Sequence, residues 1–254
     1  MTQFPGRLAL RLWGLFAAGL FFAVTVPTLL LLSVLPKLAW RRQLVRSAGR
    51  LTLAGCGVLP RVEGLENLPK GDCIIVSNHA SYLDGVILTA ALPPRFSFVI
   101  KREMTKVPVA NFLLRRVGSE FLDRDRGRQG ASDARRILRQ AGTGNSLVFF
   151  PEGTFYLDPG LRHFHSGAFN AARRGEVPLV PVVIQGSRDM LPAHHRLPRP
   201  GPLVVSIQAP IVDTAGAKTP ELIARSRRKI LANLGEPDLD PKALEAWREP
   251  DSPA

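Results

Sequence analysis

The chain has 254 residues, 45% hydrophobic and 22% charged, the balance of a folded domain with its own core and not of a disordered chain. Lys and Arg number 34 against 21 Asp and Glu, a net charge of +13, which points to polyanionic partners: nucleic acid or an anionic membrane surface. The two cysteines, Cys56 and Cys73, lack metal-ligand spacing and exclude a disulfide framework, which fits a reduced cytoplasmic setting.

Residues 12–36 carry no charge. The run is long enough to cross a hydrocarbon core of about 30 Å as a helix. It is too long for a signal peptide, and Lys37, Arg41, Arg42, Arg46 and Arg50 follow it, a basic flank that stays cytoplasmic. Arg7 and Arg11 precede it and Pro27 lies within it, so two arrangements fit: a spanning helix, or a re-entrant hairpin bent at Pro27. Both place the following domain on the cytoplasmic face of a membrane, the inner membrane if the source is bacterial. The basic amphipathic stretch Ala39 to Leu53 reads as a helix lying on anionic headgroups.

From about Val62 short apolar runs alternate with helical patterns. The predicted strands are Cys73–Ser77, Phe96–Ile100, Glu120–Asp123, Ser146–Phe150, Leu179–Ile184 and Leu203–Gln208. The predicted helices are Tyr82–Ala91, Lys106–Val117, Ala131–Gln140, Gly167–Arg174 and Pro220–Leu234. This alternation implies an α/β domain with a parallel or mixed sheet. The organisation is then a membrane-embedded helical segment over 1–60, an α/β domain over 61–235, and a poorly ordered Pro-, Asp- and Glu-rich tail over 236–254.

Four segments carry candidate chemistry. In Ser77–Asp84 an apolar strand ends in a turn, with Ser81 as the expected N-cap of the next helix. Residues five apart do not share a helix face, so His79 meets Asp84 if the histidine lies in the turn. Asp84 otherwise caps the helix, and His79 otherwise bonds backbone. In Phe149–Thr154, Glu152 beside Gly153 either binds a hydroxyl or fixes a backbone donor. In Gly118–Arg124 a strand delivers Arg124, suited to gripping phosphate or to pairing with Asp123 or Asp125. Val177–Val183 is an apolar strand with two prolines that shapes a site wall.

In this order, H-x-x-x-x-D, Gly…Phe…Asp-Arg, F-P-E-G-T and V-P-x-V-P-V resemble the glycerolipid acyltransferase family over residues 62–210, as do Lys101-Arg102-Glu103-Met104 and Pro108. The resemblance implies an acyltransferase-like sheet flanked by helices. It implies transfer of a fatty acyl group from acyl-CoA or acyl-ACP to a lysophospholipid hydroxyl, with no cofactor. His79 would be the general base and Asp84 its orienting partner. Arg124 would bind the acceptor's phosphate. Glu152, Gly153 and Thr154 would complete the acceptor site, and Lys101 would add charge.

The pattern departs from the family at two positions. Phe155 stands where the phosphatidate-forming enzymes carry Arg after E-G-T, and His165 stands for Lys in Phe164–Phe169. Arg162 or Lys101 could compensate; otherwise the acceptor is a less charged lysolipid. Rival readings are weaker. A serine hydrolase would need a G-x-S-x-G turn. A metal site at His163, His165, His194 and His195 lacks a carboxylate at ligand spacing. A nucleic-acid module finds no recognition motif and only 7% aromatic residues.

Overall fold

The computed structural model describes residues 6–123, 136–137 and 146–245. Arg124 and most of the predicted helix Ala131–Gln140 lie outside the described residues.

Helix α1 (Arg7–Val34) is a single 28-residue helix, about 42 Å long at 1.5 Å per residue. It runs unbroken through Pro27, so of the two arrangements that fit the apolar run, the hairpin bent at Pro27 does not form. Pro27 removes one backbone donor, and the Thr28 hydroxyl gives one to the carbonyl of Val24, 2.7 Å away. The chain turns after Val34 instead, and helix α2 (Leu38–Gly55) packs back along α1.

The basic face of α2 was expected on lipid headgroups; the structure turns it inward. Arg46 donates to the carbonyl of Leu92 at 2.8 Å and Arg50 to that of Ala90 at 3.3 Å, at the end of helix α3 (Asp84–Ala91). Arg42 donates to the carbonyl of Val117 at 3.0 Å, at the end of helix α4 (Pro108–Arg116), and to that of Arg95 at 3.0 Å. Arg116 in turn reaches the final carbonyls of α1, including Leu35 at 2.9 Å. Helix C-termini leave carbonyls unpaired and carry partial negative charge, so arginines find partners there. Periodicity shows which residues share the face of α2, but not what it meets.

The sheet strands are β1 (Arg61–Glu63), β2 (Ile74–Ser77), β3 (Phe96–Lys101), β4 (Glu120–Leu122), β5 (Ser146–Phe149), β6 (Leu179–Gln185) and β7 (Val204–Ile207), in spatial order β1-β7-β6-β2-β5-β3-β4. All pairs are parallel except β6 with β7. Six strands match the predicted runs. Strand β1 was missed because Arg61-Val62-Glu63 has no apolar run to mark it. Strands β2 and β5 are buried throughout, as expected of central strands covered on both faces. Ile74, Leu147, Phe149, Leu179 and Val183 face helices α5 (Gly167–Gly175) and α7 (Thr219–Leu234). Ile75, Val148, Val180 and Val182 face α3 and the end of α2. Each fully buried aliphatic side chain contributes about 1.5–3 kcal/mol. Pro181 lies in an interior strand; its carbonyl accepts from Gln208 N at 2.9 Å just past the last β6–β7 pair, and its missing N–H gives no return bond, so the ladder ends there.

The predicted tail begins too early. Glu236 to Asp240 dock instead of dangling: Leu161 N donates to Pro237 O at 2.8 Å and Leu239 N to Leu161 O at 3.0 Å. Arg227, fully buried on α7, pairs with Asp238. A short helix α8 (Lys242–Glu245) follows, and α6 (Ser187–Met190) is the single turn after β6.

Candidate active site

Strand β2 ends at Ser77 in the middle of the sheet, and the next seven residues form the candidate site. Asn78 fastens it: its side-chain amide donates to the Ile184 carbonyl at 2.9 Å and accepts from the Ile184 N–H at 2.8 Å. Sequence reading passed over this residue, because an Asn in a turn reads as turn chemistry alone.

His79 lies in the turn, as its contact with Asp84 requires. Helix α3 begins at Asp84, three residues after the expected Ser81 N-cap. Asp84 is fully buried, and one oxygen, Oδ2, gathers three donors: His79 Nδ1 at 2.8 Å, Ala80 N at 2.7 Å and Ser81 N at 2.9 Å. The aspartate thus shapes the turn and aims the imidazole in the same stroke. With Nδ1–H donating to Asp84, Nε2 carries the lone pair and makes no protein hydrogen bond among the described residues. The ring of Phe150 stacks on His79 at 4.3 Å, and the edge of Phe155 meets it at 4.7 Å. Tyr82 packs on Phe155 at 4.6 Å. Ser81 donates its hydroxyl to Leu191 O at 2.8 Å, which commits it away from His79.

Glu152 follows β5, beside β2. It is buried, and its two carboxylate oxygens accept from His79 N at 2.7 Å and from Arg162 N at 2.9 Å. It therefore fixes backbone donors, one of the two roles open to it from sequence. Burial raises its pKa to about 7, against the pull of those two N–H groups. Gly153 closes the turn with its N–H on Phe150 O at 3.0 Å and φ of 79°, a left-handed value that suits glycine. Thr154 follows it, half-buried. Lys101 ends β3 with its side chain exposed. The guanidinium of Arg162 lies over the Tyr156 ring at 4.1 Å. His163 pairs with Asp240 at 2.8 Å, and among the described residues no three of His, Cys, Asp and Glu come together as metal ligands.

The model of the Acyltransferase family matches residues 60–185, the stretch that carries β2, His79, Asp84 and Glu152. The chain belongs to the glycerolipid acyltransferase family. Among its relatives, a chloroplastic 1-acyl-sn-glycerol-3-phosphate acyltransferase of Brassica napus is 32% identical over 68% of this chain and 50% of its own length. A lyso-ornithine lipid O-acyltransferase of Pseudomonas aeruginosa is 33% identical over 54% of this chain and 52% of its own. The chain spans about half the length of these curated relatives. The crystal structure of the 1-acyl-sn-glycerophosphate acyltransferase PlsC of Thermotoga maritima shares the fold, with a TM-score of 0.73 and 23% identity over 95% of this chain and 98% of that one. In this acyltransferase fold the described candidate residues, His79, Asp84, Lys101, Glu152, Gly153 and Thr154, sit at the carboxyl edge of the sheet, where open α/β sheets place their ligands.

Proposed function

We propose that this protein transfers a fatty acyl group from an acyl thioester to the hydroxyl of a lysophospholipid of the 1-acyl-glycerol-3-phosphate type. The observation that carries the reading is the His79–Asp84 pair, with Nδ1 held at 2.8 Å and Nε2 open. Nε2 takes the proton of the acceptor hydroxyl as its oxygen attacks the thioester carbonyl. That attack forms the new C–O bond, and the tetrahedral species collapses by re-forming the carbonyl and cleaving C–S. The imidazolium returns its proton to the thiolate, so the products are the diacyl lipid and a free thiol. Asp84 steadies the imidazolium. The step as written uses neither a metal nor a prosthetic group, and the donor, acyl-CoA or acyl-ACP, is a co-substrate. Lys101 and Arg124 would attract the acceptor's phosphate, with Gly153 and Thr154 beside it.

The reading extends to location. Helix α1 exposes Leu8, Leu12, Leu15, Phe16, Phe22, Val26, Leu30 and Val34, an apolar face suited to lipid. It also touches the domain near both ends. Gly14 packs so closely on the loop after α6 that an added Cβ would lie 2.8 Å from Pro198 O, and Arg116 bonds carbonyls at the far end. These contacts are about 27 Å apart along α1. A helix held at both ends by one domain lies within one leaflet, so the protein sits on the cytoplasmic face with α1 sunk in the membrane. Arg7 and Arg11, in the first turns of α1, and Lys37, just after it, would then meet anionic lipid heads.

His79→Ala tests the chemistry. It should lower kcat by about 10² to 10⁴-fold, because a general base contributes that much, while the far-ultraviolet spectrum and melting temperature stay unchanged. Wild-type turnover by a folded His79→Ala protein would refute the mechanism.

A further inference from the structure

Acyl transfer needs two substrates to converge on His79, and the groups proposed for the acceptor lie to one side. Lys101 ends β3, and Gly153 and Thr154 follow β5, all on the same flank of β2 in the sheet order. On the other flank, beyond the end of β6, a cavity of about 520 Å³ reaches Ala80, the residue after His79. Its walls come from the turn after β6 (Gly186, Ser187, Arg188, Asp189), from Leu157, and from Glu236 of the docked C-terminal segment.

The chemistry of those walls disfavours a phosphate headgroup. Arg188 is their cation, and it is already neutralised: Nε and Nη2 fork onto Glu236 at 2.8 and 2.9 Å, while Nη1 donates to Tyr156 O at 2.6 Å. Asp189 is exposed and has no ion-pair partner among the described residues, so the wall is net negative. A dianion entering here would meet a carboxylate and no free cation. The rest of the wall is largely apolar, with Ala80, Leu157, Ile184, Pro192 and Leu234, which suits an uncharged ligand.

The geometry points to this cavity as the subsite for the uncharged, amide-bearing pantetheine arm of the acyl thioester donor, an arm common to acyl-CoA and acyl carrier protein. The assignment rests on the acyl-transfer reading above. It brings the thioester to His79 from the β6 side as the acceptor hydroxyl arrives from the β5–β3 side.

The test uses the full chain in phospholipid vesicles with 1-acyl-glycerol-3-phosphate as acceptor. Three donors carry the same acyl group: acyl-CoA, acyl-ACP and acyl-pantetheine. Ser187→Leu narrows the cavity from its floor and Leu157→Trp, at an exposed loop position, narrows it from its rim. Each should raise KM for every donor the wild type accepts by about tenfold, a shift of 1.4 kcal/mol, while KM for the acceptor changes less than twofold. Free pantetheine should compete with the donor and not with the acceptor. If Ser187→Leu misfolds by circular dichroism, Leu157→Trp decides. Comparing acyl-CoA with acyl-ACP in the wild type shows which source supplies the arm. An increase in acceptor KM alone, no change in either KM, or a change confined to acyl-CoA and absent from acyl-pantetheine would overturn the assignment. A wild type inactive with all three donors would instead overturn acyl transfer itself, and the subsite with it.

Discussion

Burial holds the Glu152 carboxyl at about 7, although its charged form accepts two backbone N–H groups. The folded protein therefore binds a proton there that the unfolded chain, at the ordinary 4.5, has already released. Linkage sets the sign: the contribution to stability is full below 4.5 and is lost as pH rises through about 7. Glu152→Gln should flatten this dependence, removing a slope of up to about 1.4 kcal/mol per pH unit, as denaturant titrations at a series of pH values would show. An unchanged slope would mean that Glu152 does not titrate in this window. Phe155 is the second residue with a consequence of its own. It stands against His79 at the position where phosphatidate-forming relatives carry Arg, and brings an apolar ring instead of a fork. Phe155→Arg should raise kcat/KM for 1-acyl-glycerol-3-phosphate by about tenfold to a hundredfold, since a charge-assisted contact is worth about 1.5–3 kcal/mol. Competition between this acceptor and a zwitterionic lysolipid measures it. Absence of any gain would mean that Arg162, His165 or Lys101 already supplies the charge.

At the scale of elements, the loop after E-G-T-F owes its shape to the C-terminal segment. Glu236 Oε2 accepts from Gly160 N and from Arg188, whose third nitrogen holds the Tyr156 carbonyl. Leu161 pairs with the chain around Asp238. That loop carries Phe155 onto His79 and brings the Arg162 N–H to Glu152. Glu236→Ala leaves Arg188 without its counter-charge and Gly160 N without its acceptor. It should destabilise the protein by about 1–3 kcal/mol, the cost of leaving partly buried polar groups without partners. Kinetics at a temperature where the variant stays folded should show a raised KM for the donor, whose cavity Glu236 lines, as well as for the acceptor, whose side the loop shapes. A variant with wild-type melting temperature and wild-type acceptor KM would show that the clasp holds nothing in place.

For the whole molecule, the question is how a +13 chain meets a membrane when four of its arginines are committed to backbone carbonyls. Burial of α1 then carries most of the attachment, and apolar burial is insensitive to salt. The protein should stay with membranes through a high-salt wash. In a Cys56→Ser background, Arg7→Cys and Lys37→Cys should both react with an impermeant thiol reagent added to the same side of sealed vesicles. Labelling from opposite faces would mean that α1 spans the bilayer.

How far the sequence carries can be read from particular residues. Local pattern was enough for β2, β5 and β6, whose apolar runs are continuous because both sheet faces are covered. It was enough for His79 and Asp84, because helix geometry allows them to meet when the histidine lies in a turn. It was also enough for the family, through four motifs in order. Strand β1 was not legible, since three residues without an apolar run depend on β7 for their pairing. The inward aim of Arg42, Arg46 and Arg50 was not legible either, nor the docking of Glu236 to Asp240, nor the stacking of Phe150 on His79. In each case the partner lies tens of residues away, and a charged or polar residue meets solvent, lipid or a carbonyl with the same local signature. The sequence by itself determined most of the elements and the His79–Asp84 contact, because both rest on short-range geometry. Tertiary structure decided which faces are buried and what each charge neutralises, because those depend on what the fold brings alongside.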